Sequence, residues 1–135
     1  MPKPTPFVEH VVEMMRRFGP VSARSMFGGW GLYHDATFFA LIAEETLYLK
    51  TDDENVREFE ARGLEPFVYP MKGGEPIVMH YSRAPEDALE SAEVMARWAR
   101  SAYGAALRAA ARKARKAPRA AGARKAKAPP RPRRG

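Results

Sequence analysis

Met26-Phe27-Gly28-Gly29-Trp30-Gly31-Leu32-Tyr33 changes the period of the chain, and the two apolar runs behind it settle the fold. Three glycines among four residues are poor for a helix. They suit a bulge or a close backbone approach in a sheet. The run at 38–43, rich in aromatic and branched residues, reads as a buried strand, and Leu47-Tyr48-Leu49-Lys50 as another. Asp35-Ala36 and the acidic Glu44-Glu45 are the turns between them, although neither contains the usual glycine. Three short strands at hairpin spacing predict an antiparallel meander.

Helices flank it. Thr5-Pro6 offers a capping hydroxyl followed by proline at the first helical position. Phe7, Val11, Met14, Met15 and Phe18 then fall on one face, and Gly19-Pro20 stops the run. Thr51-Asp52-Asp53-Glu54 has the capping-box pattern, with Val56 and Phe59 as the apolar stripe behind it. Gly63 ends that helix, and Leu64 is placed to fold back on Phe59. Phe67-Val68-Tyr69 and residues 77–81 read as two more strands, joined by the loop Lys72-Gly73-Gly74-Glu75-Pro76. Pro85-Glu86-Asp87 opens a last helical region, recapped at Ser91. Met95, Trp98, Ala102 and Ala106 share a face there, and the helix can run to about residue 117 before Pro118.

The expected architecture is two-layer α+β. About five antiparallel strands carry helices on one face, in the order α-β-β-β-α-β-β-α, and the other face is free for solvent or a partner. The division is a folded domain over 1–111 and a tail over 112–135.

Charge draws the same boundary. The 135 residues hold 23 Lys+Arg against 16 Asp+Glu, a net of +7. Eleven of the basic residues and none of the acids lie in 112–135, so the body is mildly acidic and the tail strongly cationic. Residues 118–135 are Pro, Ala, Gly, Lys and Arg only. Such a segment has nothing to bury, and disorder is expected of it. There is no cysteine, which excludes disulfides, thiolate nucleophiles and thiolate-bound metal. No apolar run approaches the roughly 20 residues of a membrane span. The start has no secretory h-region, and the cytoplasm is the expected location.

From Arg24 to Trp98 the chain resembles the N-terminal domain of the TfoX/Sxy family of bacterial competence regulators. The resemblance is carried by residues 26–33, by Phe39-Ala40-Leu41-Ile42 and by Leu47-Tyr48-Leu49-Lys50-Thr51-Asp52. Further on it is carried by Pro66-Phe67-Val68-Tyr69, Met79-His80-Tyr81, Ala84-Pro85-Glu86-Asp87-Ala88-Leu89-Glu90 and Trp98-Ala99. It implies a small α+β domain in a regulator, without an enzymatic role and with no catalytic residue to carry over. Two departures stand out. Full-length regulators of that type also have a C-terminal helical domain, and residues 112–135 do not read as one. Ala36-Thr37 stands where a glycine turn is usual.

The functional signal is the tail. Arg112, Lys113, Arg115, Lys116, Arg119, Arg124, Lys125, Lys127, Arg131, Arg133 and Arg134 can follow a polyanion and release its counterions. No aromatic residue is interleaved, so the attachment expected is salt-sensitive and sequence-tolerant, to DNA or RNA. The plain alternatives are attraction to anionic lipid, or a tail that only solubilises a protein-interaction or chaperone-like adaptor. Some tail charges also complement a helix C-terminus.

Other candidates carry less. Gly28-Gly29-Trp30-Gly31 lacks the phosphate-loop pattern and reads as a bulge beside a packed Trp. His10, His34 and His80 show no ligand spacing, and His34 and Asp35 should face opposite ways as strand neighbours. Asp52, Asp53, Glu54, Glu58 and Glu60 read as a helix start and its solvated face. No cofactor and no metal are expected. Trp30, Tyr33, Tyr48, Phe67, Tyr69 and Tyr81 should be core or sheet face, and an exposed subset would make a protein-binding patch.

Overall fold

Thr5 starts the first helix as its sequence suggests. Its Oγ1 accepts from the Val8 N–H at 3.2 Å, and Pro6 needs no partner at the first position. In the computed structural model, which describes residues 3–26, 28–69, 73–75 and 77–116, α1 spans Pro6–Met14 and tightens into a 3-10 turn over Met15–Arg17. Phe27, the expected loop at Lys72 and Pro76, the stop at Pro118 and the expected disorder of 118–135 all lie outside the described residues.

Six strands follow: β1 Ser22–Met26, β2 Gly29–His34, β3 Thr37–Ala43, β4 Thr46–Lys50, β5 Pro66–Tyr69 and β6 Ile77–Arg83. They form one antiparallel sheet in the order β1-β2-β3-β4-β6-β5. That is one strand more than the five expected. The extra strand is β1, an edge strand whose Ser-Ala-Arg-Ser-Met sequence has no branched residue and hides its alternation. The element order is therefore α-β-β-β-β-α-β-β-α.

The bulge expected at the glycines lies elsewhere. Pairing of β1 with β2 is regular from Gly29 to Tyr33, and the slip is in β3. Leu32 opposes Ala40 and Tyr33 opposes Phe38, which leaves Phe39 as the extra residue. Phe39 and Ala40 are consecutive yet both fully buried in the core, while Phe38 joins the opposite face. The other expectation, a close backbone approach, is met at Gly29, where a Cβ would run into the Ile42 carbonyl oxygen; Gly31 sits beneath two side chains. A Cβ there would come within 2.7 Å of Met26 Cε and 3.0 Å of Phe38 Cε1, which close over it.

Both meander turns run through the left-handed region without glycine. Asp35 and Ala36 have φ 48° and 65°, and Glu44 and Glu45 have φ 50° and 60°. This is the two-residue turn that matches strand twist, and an L side chain costs roughly 1–2 kcal/mol in it. Ala36→Gly is therefore expected to raise stability by about 0.5–1 kcal/mol, the strain relieved less the added chain entropy. A higher urea midpoint at unchanged m-value would register it.

The second helix, α2, is short (Val56–Ala61), and its start corrects the capping reading. Asp52, not Thr51, holds the turn that leads into it: its Oδ1 accepts from the N–H groups of Glu54 (3.0 Å) and Asn55 (3.2 Å), while Asn55, at the α2 boundary, makes no side-chain capping bond. Thr51 is buried and donates its N–H to the His80 carbonyl. The far end is as expected. Gly63 has φ 69°, and the Leu64 and Gly63 N–H groups bond the Phe59 and Glu60 carbonyls at 3.0 Å each. Leu64 is thereby buried near Phe59 in the core.

After a 3-10 turn at Glu86–Leu89, Ser91 caps α3 through its Oγ, which accepts from Val94 N–H at 3.3 Å. The α3 helix spans Ala92–Lys116. Met95, Trp98, Ala99, Ala102 and Ala106 lie on its buried face and join Val8, Val11 and Met15 of the first helical segment. Phe39, Ile42, Leu47 and Leu49 of the sheet complete a single core. The small alanines let α3 lie close to β3 and β4. The helices thus cover one face of the sheet.

Candidate nucleic-acid interface

The basic residues begin on the last turns of α3. Arg112, Lys113 and Arg115 are exposed there, and Lys116 is the last described residue of α3. Arg119, Arg124, Lys125, Lys127, Arg131, Arg133 and Arg134 lie outside the described residues.

This end of α3 is tied to the body by an ion cluster. Arg108 Nε and Nη2 donate to Asp52 Oδ2 (2.6 Å) and Oδ1 (3.1 Å), and Nε also lies 3.1 Å from Glu54 Oε2. The Asp52 side chain is only 4% exposed, so this acid does not belong to a solvated face as its neighbours suggested. The hydrogen bond from Arg108 holds its carboxyl below the usual carboxylate range, against the opposing effect of burial. The resulting stability is present above the ordinary carboxylate pKa near 4 and is lost as pH falls below it. Asn55 makes the second tie. Its Nδ2 donates to Lys50 O, Ser101 O and Ser101 Oγ at 3.1–3.2 Å, and its Oδ1 accepts from Asp52 N–H at 2.8 Å.

The sheet face away from the helices is aromatic. Tyr33 and Phe38 have ring centroids 5.3 Å apart, and Phe38 and Tyr81 5.5 Å. Beside them Tyr48 lies 4.8 Å from Phe67, which lies 6.4 Å from Tyr69. Of these rings only Tyr81 is buried. Tyr33, Phe38, Tyr48 and Phe67 are half-buried, and Tyr69 is 38% exposed. Cations sit among them. The Arg24 guanidinium lies 4.9 Å over the Tyr33 ring, and the Lys50 ammonium 4.9 Å over Tyr81. Arg83 is held by Glu65 at 2.9 Å. Burial lowers the pKa of Lys50; Asp52 opposes that shift and the Arg112 charge adds to it, so the end of α3 acts electrostatically on this face.

Tyr81 is the buried member of the stripe, 7% exposed, and burial pushes its hydroxyl up to about 12, with the nearby Tyr33 adding to the shift. Alkaline titration followed by tyrosinate absorbance should therefore end on a late step near 12 that Tyr81→Phe removes. The raised pKa contributes stability fully present below about pH 10, where the unfolded side chain is neutral, and lost as pH rises toward 12.

Two of the three histidines tie elements together. His10 Nε2 donates to the Leu89 carbonyl at 2.8 Å and His34 Nδ1 to the Pro20 carbonyl at 2.7 Å. His34 also packs against Phe18 and Tyr103. It does reach Asp35, Nε2 to Oδ2 at 3.4 Å, contrary to the strand-alternation argument, because Asp35 is already in the turn at positive φ. Among the described residues no group of three His, Asp or Glu is placed to hold a metal ion. No described helix is long and apolar enough to cross a membrane.

Sequence reasoning placed the aromatic residues on strands. It missed Arg24 and Lys50 as their partners, because pairing across strands depends on register. The period-2 spacing of Tyr48 with Lys50, and of Tyr81 with Arg83, was the available signal.

The described residues thus form a two-layer α+β domain with helices on one sheet face, an aromatic opposite face and basic residues at the far end of α3. The chain belongs to the TfoX family: the TfoX N-terminal domain matches residues 13–106. It is similar to the DNA transformation protein TfoX1 of Aliivibrio fischeri (strain ATCC 700601 / ES114), with 33% identity over 64 residues. The matched stretch covers 47% of this chain and 31% of that relative, so the chain spans about a third of the relative's length.

Proposed function

We propose that this chain is a non-enzymatic regulatory accessory protein, of the kind concerned with DNA uptake and its control, acting in the cytoplasm at the nucleoid. Family membership supports the regulatory role, and the relative's description as a DNA transformation protein supports its connection with DNA. In this reading the folded domain selects a partner, and the segment from Arg112 to Arg134 attaches to nucleic acid without reading sequence. The mechanism is binding and proximity. The observation that carries it is the charge boundary. All 16 acids lie before residue 112, and the first basic residues beyond it stand exposed on a helix braced to the body through Arg108.

Duplex affinity against salt tests this. Six engaged phosphates give a slope of log K on log salt of about −5. Changing the eleven basic residues of 112–135 to Gln should flatten that slope and weaken binding at least about a hundredfold at low salt. Unchanged duplex binding by the neutralised chain would refute the reading.

A further inference from the structure

We propose that the helix-free face of the sheet is a stacking platform for single-stranded nucleic acid. Tyr33, Phe38, Tyr48, Phe67 and Tyr69 present the rings, and Arg24 and Lys50 take the phosphates. The inference goes beyond the attachment assigned to the basic segment, which contains no ring and cannot stack, and each is testable without the other.

Three observations select this occupant. The rings form two neighbouring groups that cross the sheet from β2 to β5. With strands ~4.8 Å apart the whole sheet is about 24 Å wide, enough for the smaller single-strand sites of about four nucleotides. The charge is of the right sign: Arg24 and Lys50 lie directly over rings, and Arg112 acts on Lys50 from the helix end. The acids nearby are largely engaged, Glu65 by Arg83 and Asp52 by Arg108. The chain's own basic segment would meet Arg24 and Lys50 as like charges. A duplex keeps its bases stacked inside and has nothing to offer the rings, whereas an unpaired strand offers both phosphate and π-face.

The experiment uses the full chain, fluorescence anisotropy, and a labelled oligothymidylate of 12 nucleotides beside a duplex of the same length. Tyr33→Ala and Phe67→Ala are each expected to weaken oligothymidylate binding by about fivefold or more while leaving duplex binding unchanged. Tyr33→Phe, which keeps the ring, should retain the affinity. Thermal unfolding of each variant separates loss of the platform from loss of the fold. In the chain with Gln at the eleven tail positions, the fivefold sensitivity to ring removal should persist even though overall affinity falls. That outcome holds whether or not the tail binds duplex. If ring removal shifts single-strand and duplex binding together, or shifts neither, the platform is wrong. If Phe67→Ala instead abolishes a concentration-dependent dimer and leaves oligothymidylate binding intact, the face belongs to a second copy and the proposal falls.

Discussion

Trp98→Ala is expected to cost about 3–5 kcal/mol, a large fraction of the roughly 5–15 kcal/mol a domain of this size possesses. Trp98 is 2% exposed and is the largest side chain in the core. It meets Phe59 edge-on at 4.9 Å, and so joins α3 to the short α2 helix. Arg62 and Arg97 lie over its ring at 5.7 and 5.3 Å, and the cavity would strand their stems as well. Urea unfolding should show a sharply lowered midpoint, and near-UV dichroism a loss of fixed aromatic packing. A midpoint within a fraction of a molar of the parent would mean that α2 does not depend on this contact.

Asn55→Ala is the second large effect, about 3 kcal/mol, and its origin is polar. One amide serves β4, the α2 start and α3 together, and the residue is 4% exposed. Its removal leaves the Lys50 and Ser101 carbonyls and the Asp52 N–H without this partner in a place where water does not reach easily. Ser101→Ala is the graded comparison. It deletes only the hydroxyl at 3.1 Å and keeps the carbonyl bond, so about 0.5–1 kcal/mol is expected. Equal effects from the two substitutions would contradict a bridging role for Asn55.

Much of the fold is legible because local rules and packing agree. The Thr5-Pro6 start, the Gly63-Leu64 end and the Ser91 recapping are short-range chemistry, and each appears as the residues imply. So does the buried stripe from Met95 to Ala106. The misses have non-local causes. Strand β1 forms because β2 supplies its partners, not because Ser22, Arg24 and Ser25 favour extension. The bulge at Phe39 depends on how β3 meets β2, and no residue type there announces it. Asp52 rather than Thr51 holds the turn before α2, with its carboxylate fixed by Arg108, 56 residues on. The candidate site divides in the same way. The basic run is a compositional fact readable at once. The ring-and-cation face exists only after six strands are in register, with Arg24 of β1 set beside Tyr33 of β2.

Helix α3 supplies five of the core side chains, and it is the last element of the domain to leave the ribosome. Until its buried stripe emerges, the nascent sheet has only the first helical segment and α2 to lay over Phe39, Ile42, Leu47 and Leu49. Synthesis therefore passes through a stage in which both sheet surfaces are sticky, one briefly and one for good. Chaperone capture during translation, and aggregation of chains truncated before residue 95, follow from this order of assembly.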